Sequence, residues 1–238
     1  MALLVCPDCG GKVSEHAEFC PHCGCPIFKI KDATNAKMSS FTLEDRANAG
    51  DAEAQCSLAL SLYYGGDGYA VDRDSALRWL LAAIDSGNCG AKVTLKLLFG
   101  IDINGITSAD DYFSLGIDYS KGKGVSKNIV FAIWAYQKAA EQGHAGAQNN
   151  LAVLYDNGTE LPRDIEKALY WYHESIKNGG NAARLNLGLS YYWGDGIEQS
   201  EEQAYDLIST AANNGHEKAR EFLRKHFPQN ELEKFMFK

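Results

Sequence analysis

Tyr119, Tyr155 and Tyr191 stand 36 residues apart, and the same residue types recur at fixed distances beyond each of them. A glycine comes three residues on (Gly122, Gly158, Gly194), an alanine thirteen on (Ala132, Ala168, Ala204) and a second glycine twenty-four on (Gly143, Gly179, Gly215). Tyr63 opens an earlier copy with Gly66, Ala76 and Gly87, once an insertion of 20 residues over 88–107 is allowed for. Repetition at this period confines a chain to a stack of short supersecondary units, because one unit cannot bury its apolar face alone.

Each unit reads as two helices. The first, helix A, carries small and apolar residues at helical spacing, as in Ala147, Leu151, Ala152 and Tyr155. The glycine after the tyrosine stops it by offering left-handed backbone at low cost. Nine residues beyond the tyrosine stand Asp72, Asn128, Asp164 and Ser200, whose side chains can accept from the orphan amides of a first turn and so start helix B. The units are expected at about 51–87, 108–143, 144–179 and 180–215 of a 42–227 solenoid. Within the insertion, Ala91 to Phe99 reads as a lone helix, where a bend or bulge is expected. Leu43 to Ala49 is expected to cover the first unit, and a capping helix over 216–227, with Phe222 and Leu223 on its inner side, to cover the last.

Leu115-Gly116-Ile117-Asp118-Tyr119-Ser120-Lys121-Gly122-Lys123-Gly124-Val125, followed by Lys138-Ala139-Ala140-Glu141-Gln142-Gly143-His144-Ala145, resembles the Sel1-like repeat, a relative of the tetratricopeptide repeat. Lys167-Ala168-Leu169-Tyr170-Trp171 is similar to its second helix. The resemblance implies an all-α, right-handed solenoid of antiparallel helix pairs whose concave surface, lined by A helices, holds a peptide or partner domain. Trp79 and Trp171 occupy the aromatic position of helix B, whereas Ala135 and Leu207 depart from it.

The phrase C-P-x-C-G occurs twice near the start, at Cys6-Pro7-Asp8-Cys9-Gly10 and at Cys20-Pro21-His22-Cys23-Gly24. A C-x-x-C turn sets two thiolates on one side of a tight loop, so the doubled phrase describes a tetrahedral site for one structural zinc ion held by Cys6, Cys9, Cys20 and Cys23. Four thiolates leave no open position for water, which removes a catalytic role. The segment resembles short bacterial zinc ribbons, and a β-hairpin turning near Ser14 to Ala17 is expected between the pairs. Residues 1–28 are therefore read as the ribbon, 29–41 as a linker and 228–238 as a tail.

Composition narrows the function. The net charge is −8, and residues 1–40 hold four basic and four acidic side chains, so the negative surplus lies beyond them. An acidic solenoid is a poor partner for a phosphate backbone and suits neutral or basic protein surfaces. No charged n-region and apolar run precede Cys6, and no later run is long enough to span a bilayer. Five of seven cysteines cluster in the first 25 residues, a distribution that fits metal binding in a reducing compartment and hence the cytoplasm.

No nucleophile with a base, paired carboxylate phrase or phosphate loop is visible, so no enzyme is expected. His144 and His216 share the position after the repeat-ending glycine and read as structural; His173 and His226 read as isolated. Stacking explains the repeated positions, which leaves function to those that differ between repeats. Candidates for partner contact are Tyr64, Tyr192 and Trp193, exposed aromatics beside the repeat tyrosine, and the helix A carboxamides Asn149, Asn150 and Asn186. Tyr192 and Trp193 could equally cover the last groove, and the asparagines could be a solvated face. The reading is a monomeric scaffold for an unidentified protein or peptide. The alternatives are a nucleic-acid-associated regulator docking through the ribbon and a toxin-neutralising partner.

Overall fold

The computed structural model describes residues 3–5, 12–14 and 42–227. Two short strands, β1 (Leu3–Val5) and β2 (Lys12–Ser14), pair antiparallel with Leu4 opposite Val13. The expected hairpin turning near Ser14 to Ala17 lies outside the described residues; in the sequence the observed pair brackets the first C-x-x-C phrase. Leu3, Leu4, Val5 and Val13 supply the strand-forming residues of the pair. The four cysteines, the linker and the tail lie outside the described residues.

The helices fall in two compact units dividing after Asp102. The first holds α1 (Leu43–Asn48), α2 (Ala52–Tyr64), α3 (Arg73–Asp85) and α4 (Cys89–Phe99). The second holds α5 (Ala109–Lys121), α6 (Ile129–Glu141), α7 (Ala145–Asn157), α8 (Ile165–Lys177), α9 (Asn181–Trp193), α10 (Glu201–Asn213) and α11 (Glu217–His226). In each unit, successive helices pack on one another as hairpins of a repeat stack.

Local chemistry sets the helix ends. Asp72, Asn128, Asp164 and Ser200 are the N-caps of the B helices α3, α6, α8 and α10, each accepting a backbone amide three residues on. The A helices α5, α7 and α9 stop at Gly122, Gly158 and Gly194, all left-handed. The first repeat departs from the expected phase. Helix α2 stops at Gly65, not Gly66, and Asp72 donates its amide to the Leu62 carbonyl as Asn128, Asp164 and Ser200 donate to Tyr119, Tyr155 and Tyr191. Leu62, not Tyr63, is thus the counterpart of the repeat tyrosines, and the turn after it is one residue longer. Asp67, at φ 55°, takes up the extra residue in left-handed backbone, with Ser61 Oγ donating to its carboxylate at 2.9 Å.

Small residues let the helices approach closely. Leu58, Leu77, Leu80 and Leu95 fill the first unit and Phe131, Leu151, Leu187 and Ile208 the second, interleaved with buried alanines. A Cβ at Gly188 of α9 would meet Ile208 Cγ1 of α10 at 2.5 Å, so glycine there sets the helix spacing. Side chains early in the A helices reach back to carbonyls at the end of the preceding B helix. Gln148 donates to Ala140, Arg184 to Ile176 and Arg220 to Ala212 at 3.0–3.3 Å, and Gln55 donates likewise to Ala47 at the end of α1. These bonds satisfy helix-end carbonyls that would otherwise lack partners. At the ends, Ala47 of α1 is buried with Ala54 and Leu58, and Phe222 and Leu223 of α11 pack on Ala211 and Ala219.

The aspartate caps carry a pH dependence. Asp51 is held below the ordinary carboxylate value by the amide of Ala54, Asp72 by the hydroxyl and amide of Ser75, and Asp164 by the amide of Lys167. A depressed folded-state value means that the unfolded chain takes up protons first. The contribution is thus complete above the unfolded value of about 4 and disappears as pH falls through the lower folded values. Urea unfolding midpoints are expected to drop steeply below about pH 4. Asp164→Asn, which keeps an acceptor without the charge, should flatten that drop.

Candidate functional site

Helices α7, α8 and α9 enclose a groove of about 220 Å³ lined by Val153, Asp156, Tyr172, Asn186, Leu189 and Trp193, with Asp195 at the turn after α9. The A helices α7 and α9 supply most of the wall because the one-repeat rise brings their neighbouring faces together. Leu189 and Val153 give apolar floor, and Asn186 is fixed by donating from Nδ2 to Asn149 Oδ1 at 3.0 Å. Asn150 stands beside this pair, its Oδ1 3.5 Å from Asn149 Nδ2.

The charged part of the groove is organised by one phenol and one guanidinium. Tyr172 is buried and its hydroxyl donates to Asp156 Oδ2 at 3.1 Å. Burial first, and the Asp156 carboxylate second, raise the Tyr172 pKa, so it remains a neutral donor. Arg163, from the turn between α7 and α8, donates from Nε to the Asp156 carbonyl at 2.9 Å and from Nη2 to Asp195 Oδ1 at 2.5 Å. Its Nη2 also lies 3.7 Å from Asp156 Oδ1. The hydrogen bond to Asp195 raises the Arg163 pKa further and keeps it charged.

The structure separates the adjacent aromatics Tyr192 and Trp193. Tyr192 turns toward α11, where its ring meets Phe222 at 5.2 Å and Phe227 at 5.5 Å and its hydroxyl lies 3.4 Å from His226 Nδ1. It covers the last groove. His226, read as isolated, stacks on Phe222 at 4.3 Å in the same cluster. Trp193 stays 63 % exposed, standing edge-on to Tyr192 at 4.7 Å. Because Leu62 is the counterpart of Tyr191, Tyr64 corresponds to Trp193 and is likewise 68 % exposed, edge-on to Tyr63. Tyr63 corresponds to Tyr192 and packs on α4, its ring 5.3 Å from Phe99 and its hydroxyl donating to Leu98 O. Tyr64 lies in the first unit and forms no part of the α7–α9 groove.

The four repeats observed are the feature that decides the family. The family model described as Sel1 repeat matches residues 52–88, 109–144, 145–180 and 181–216. The chain belongs to the Sel1 repeat family. A solved Sel1 repeat protein from Oxalobacter formigenes is 27% identical, with 86% of this chain and 72% of that chain covered and a TM-score of 0.49. A protective antigen present in uropathogenic Escherichia coli strains, which displays an SLR fold, is 25% identical, with 74% of this chain and 33% of that chain covered and a TM-score of 0.44.

Sel1 repeat proteins generally act as protein–protein interaction scaffolds, and the fold is typically non-enzymatic. In this Sel1 repeat protein the histidines after the repeat-ending glycines are N-caps: the Nδ1 atoms of His144 and His216 accept the amides of Ala147 and Ala219 at 3.1 and 3.3 Å. Among the described residues no cluster of three or more His, Cys, Asp or Glu converges on a metal position, and no helix is long and apolar enough to cross a membrane. The groove's charged residues, Asp156, Arg163 and Asp195, are not among the candidates that the sequence singles out. They belong to inter-helix turns and a helix end, and their convergence depends on the stacking of successive repeats.

Proposed function

We propose that this Sel1 repeat protein is an adaptor that holds an extended segment of a partner protein in the groove between α7 and α9. The observation that carries this reading is Trp193. A large ring left 63 % in solvent beside an anchored carboxamide and an apolar floor offers contact area at little cost in rotamer entropy. Affinity retrieval of the tagged chain from its own cells tests it. Wild type should bring down a protein in stoichiometric amount, and Trp193→Ala should reduce its recovery at least about tenfold. Tyr170→Ala, at a ring 58 % exposed on the B helix α8, should leave recovery unchanged. Equal loss in both variants, or retention in Trp193→Ala, overturns the reading.

The doubled C-P-x-C-G phrase supports one structural zinc ion on Cys6, Cys9, Cys20 and Cys23, which would replace a hydrophobic core in a segment too short to have one. The expected metal content is one zinc per chain by elemental analysis, falling to near zero in Cys20→Ser, Cys23→Ser while the thermal unfolding of the repeats is unchanged. A full zinc complement in that variant would exclude these ligands. Thiolate ligation of this kind suits a reducing compartment, and we place the protein in the cytoplasm.

A further inference from the structure

The groove between α7 and α9 contains two carboxylates, Asp156 and Asp195, and one guanidinium, Arg163, which the chain itself supplies from the turn before α8. That arginine shows what the carboxylates accept: its Nη2 spans the two aspartates at 3.7 and 2.5 Å. It leaves one negative charge of the groove uncompensated, and the side chain of Asp195 remains 64% exposed. Asp195 stands two residues after Trp193, whose ring is largely exposed and of the kind that receives a cation. Residues 103–227 hold 12 Lys/Arg and 16 Asp/Glu, a net charge of −4, so the groove's own unit carries the same sign.

We propose that the groove takes a lysine or arginine side chain of a basic partner segment, with its charged head at Asp195 and its methylene stem against Trp193 and Leu189. This rests on the reading of the groove as a docking site and adds the chemistry of its occupant. Charge complementarity selects a cationic segment over an acidic one because an incoming carboxylate would face Asp156 and Asp195 across a partly apolar floor. Arg163 then acts as an internal competitor for Asp195. Removing its charge should strengthen binding of a basic ligand, the opposite of what the loss of a merely structural residue would do.

The experiment uses the full chain with 15N-labelled indoles and three capped nonapeptide pools, enriched in Lys and Arg, in Asp and Glu, or in Leu and Phe. The indole resonance of Trp193 is identified by its loss in Trp193→Phe. The Lys/Arg pool is expected to shift that resonance, with affinity falling as salt is raised, weakening about tenfold in Asp195→Asn and tightening several-fold in Arg163→Gln. Circular dichroism establishes that both variants keep the helical fold, and Asp156→Asn, which retains an acceptor for Tyr172, provides a second charge removal. If the Asp/Glu or Leu/Phe pool shifts the resonance and the Lys/Arg pool does not, the cationic occupant is wrong while the groove remains a docking site. If the Lys/Arg pool binds but none of the charge variants alters its affinity, the placement at Asp195 is wrong. If no pool moves any resonance of the groove, the docking reading falls with it.

Discussion

Phe131→Ala is expected to be the most damaging single truncation in the second unit, costing about 3–5 kcal/mol. Phe131 is fully buried in α6, its ring 4.6 Å edge-on from Tyr119 and 5.4 Å from Trp134. At the same position of the next two repeats stand Lys167 and Gln203, both exposed. Lys167 lies with its ammonium 5.4 Å over Tyr155 and so leaves a solvated contact where Phe131 makes a buried one. Lys167→Ala and Gln203→Ala should therefore change stability by no more than about 0.5 kcal/mol. In a repeat stack the loss propagates mainly to neighbours, so hydrogen exchange should accelerate over α5 to α7 before α10 and α11. Uniform acceleration across the second unit, or a cost below about 1 kcal/mol, would show that the Phe131 site collapses around the missing ring.

Gly180→His is expected to destabilise by about 1–3 kcal/mol, and Ser175→Ala to rescue part of the loss. Three N-caps of the repeat stack, Asn88, His144 and His216, donate their amides to an alanine five residues earlier, Ala83, Ala139 and Ala211. Gly180 makes the same bond to Ser175 at 2.8 Å, and α9 is the helix whose cap offers no side-chain acceptor. The φ of Gly180 is −66°, which any residue adopts, so glycine is not required there by backbone conformation. It is required by space: a Cβ would collide with Ser175 Oγ, which is buried and donates to Ala145 O at 2.7 Å, and would lie 2.8 Å from the Ser175 carbonyl oxygen. With Ser175→Ala the histidine can cap as His144 does. The gain of about 1 kcal/mol from the cap roughly offsets the lost serine bond. The double variant should then recover part of the loss in urea unfolding, the approach to the Ser175 carbonyl remaining, with a coupling of about 1 kcal/mol or more in the cycle. Additive costs would mean that the serine is not what excludes the side chain.

The helix ends are legible in the chain because they are decided within a few residues. Asp72, Asn128, Asp164 and Ser200 cap because an oxygen on a short side chain reaches an amide three residues on. Gly122, Gly158 and Gly194 stop helices because left-handed backbone costs glycine little. Those rules hold wherever the segment packs, so the repeat period, the two-helix unit and the pairing of units with the Sel1 family can be read from residue types and distances. The same matching fails by one residue at Tyr63, because leucine stands at the tyrosine position and two adjacent glycines fit either register; the carbonyl of Leu62, receiving the amide of Asp72, resolves it.

The roles of residues side by side in the chain depend on what lies across from them. Tyr192 and Trp193 have the same credentials as neighbours in one helix, yet α11 covers one ring and leaves the other in solvent. Asp156, Arg163 and Asp195 are separated by up to 39 residues and become one charged cluster because one repeat step sets the end of α9 beside the end of α7. Residue types and their recurring distances were enough to specify the repeating unit, its caps and its small-residue packing positions, since each is a matter of local backbone chemistry. Which aromatic is covered and which charges meet came from the stacking of the helices, because burial and electrostatic pairing are set by contacts between helices rather than along them.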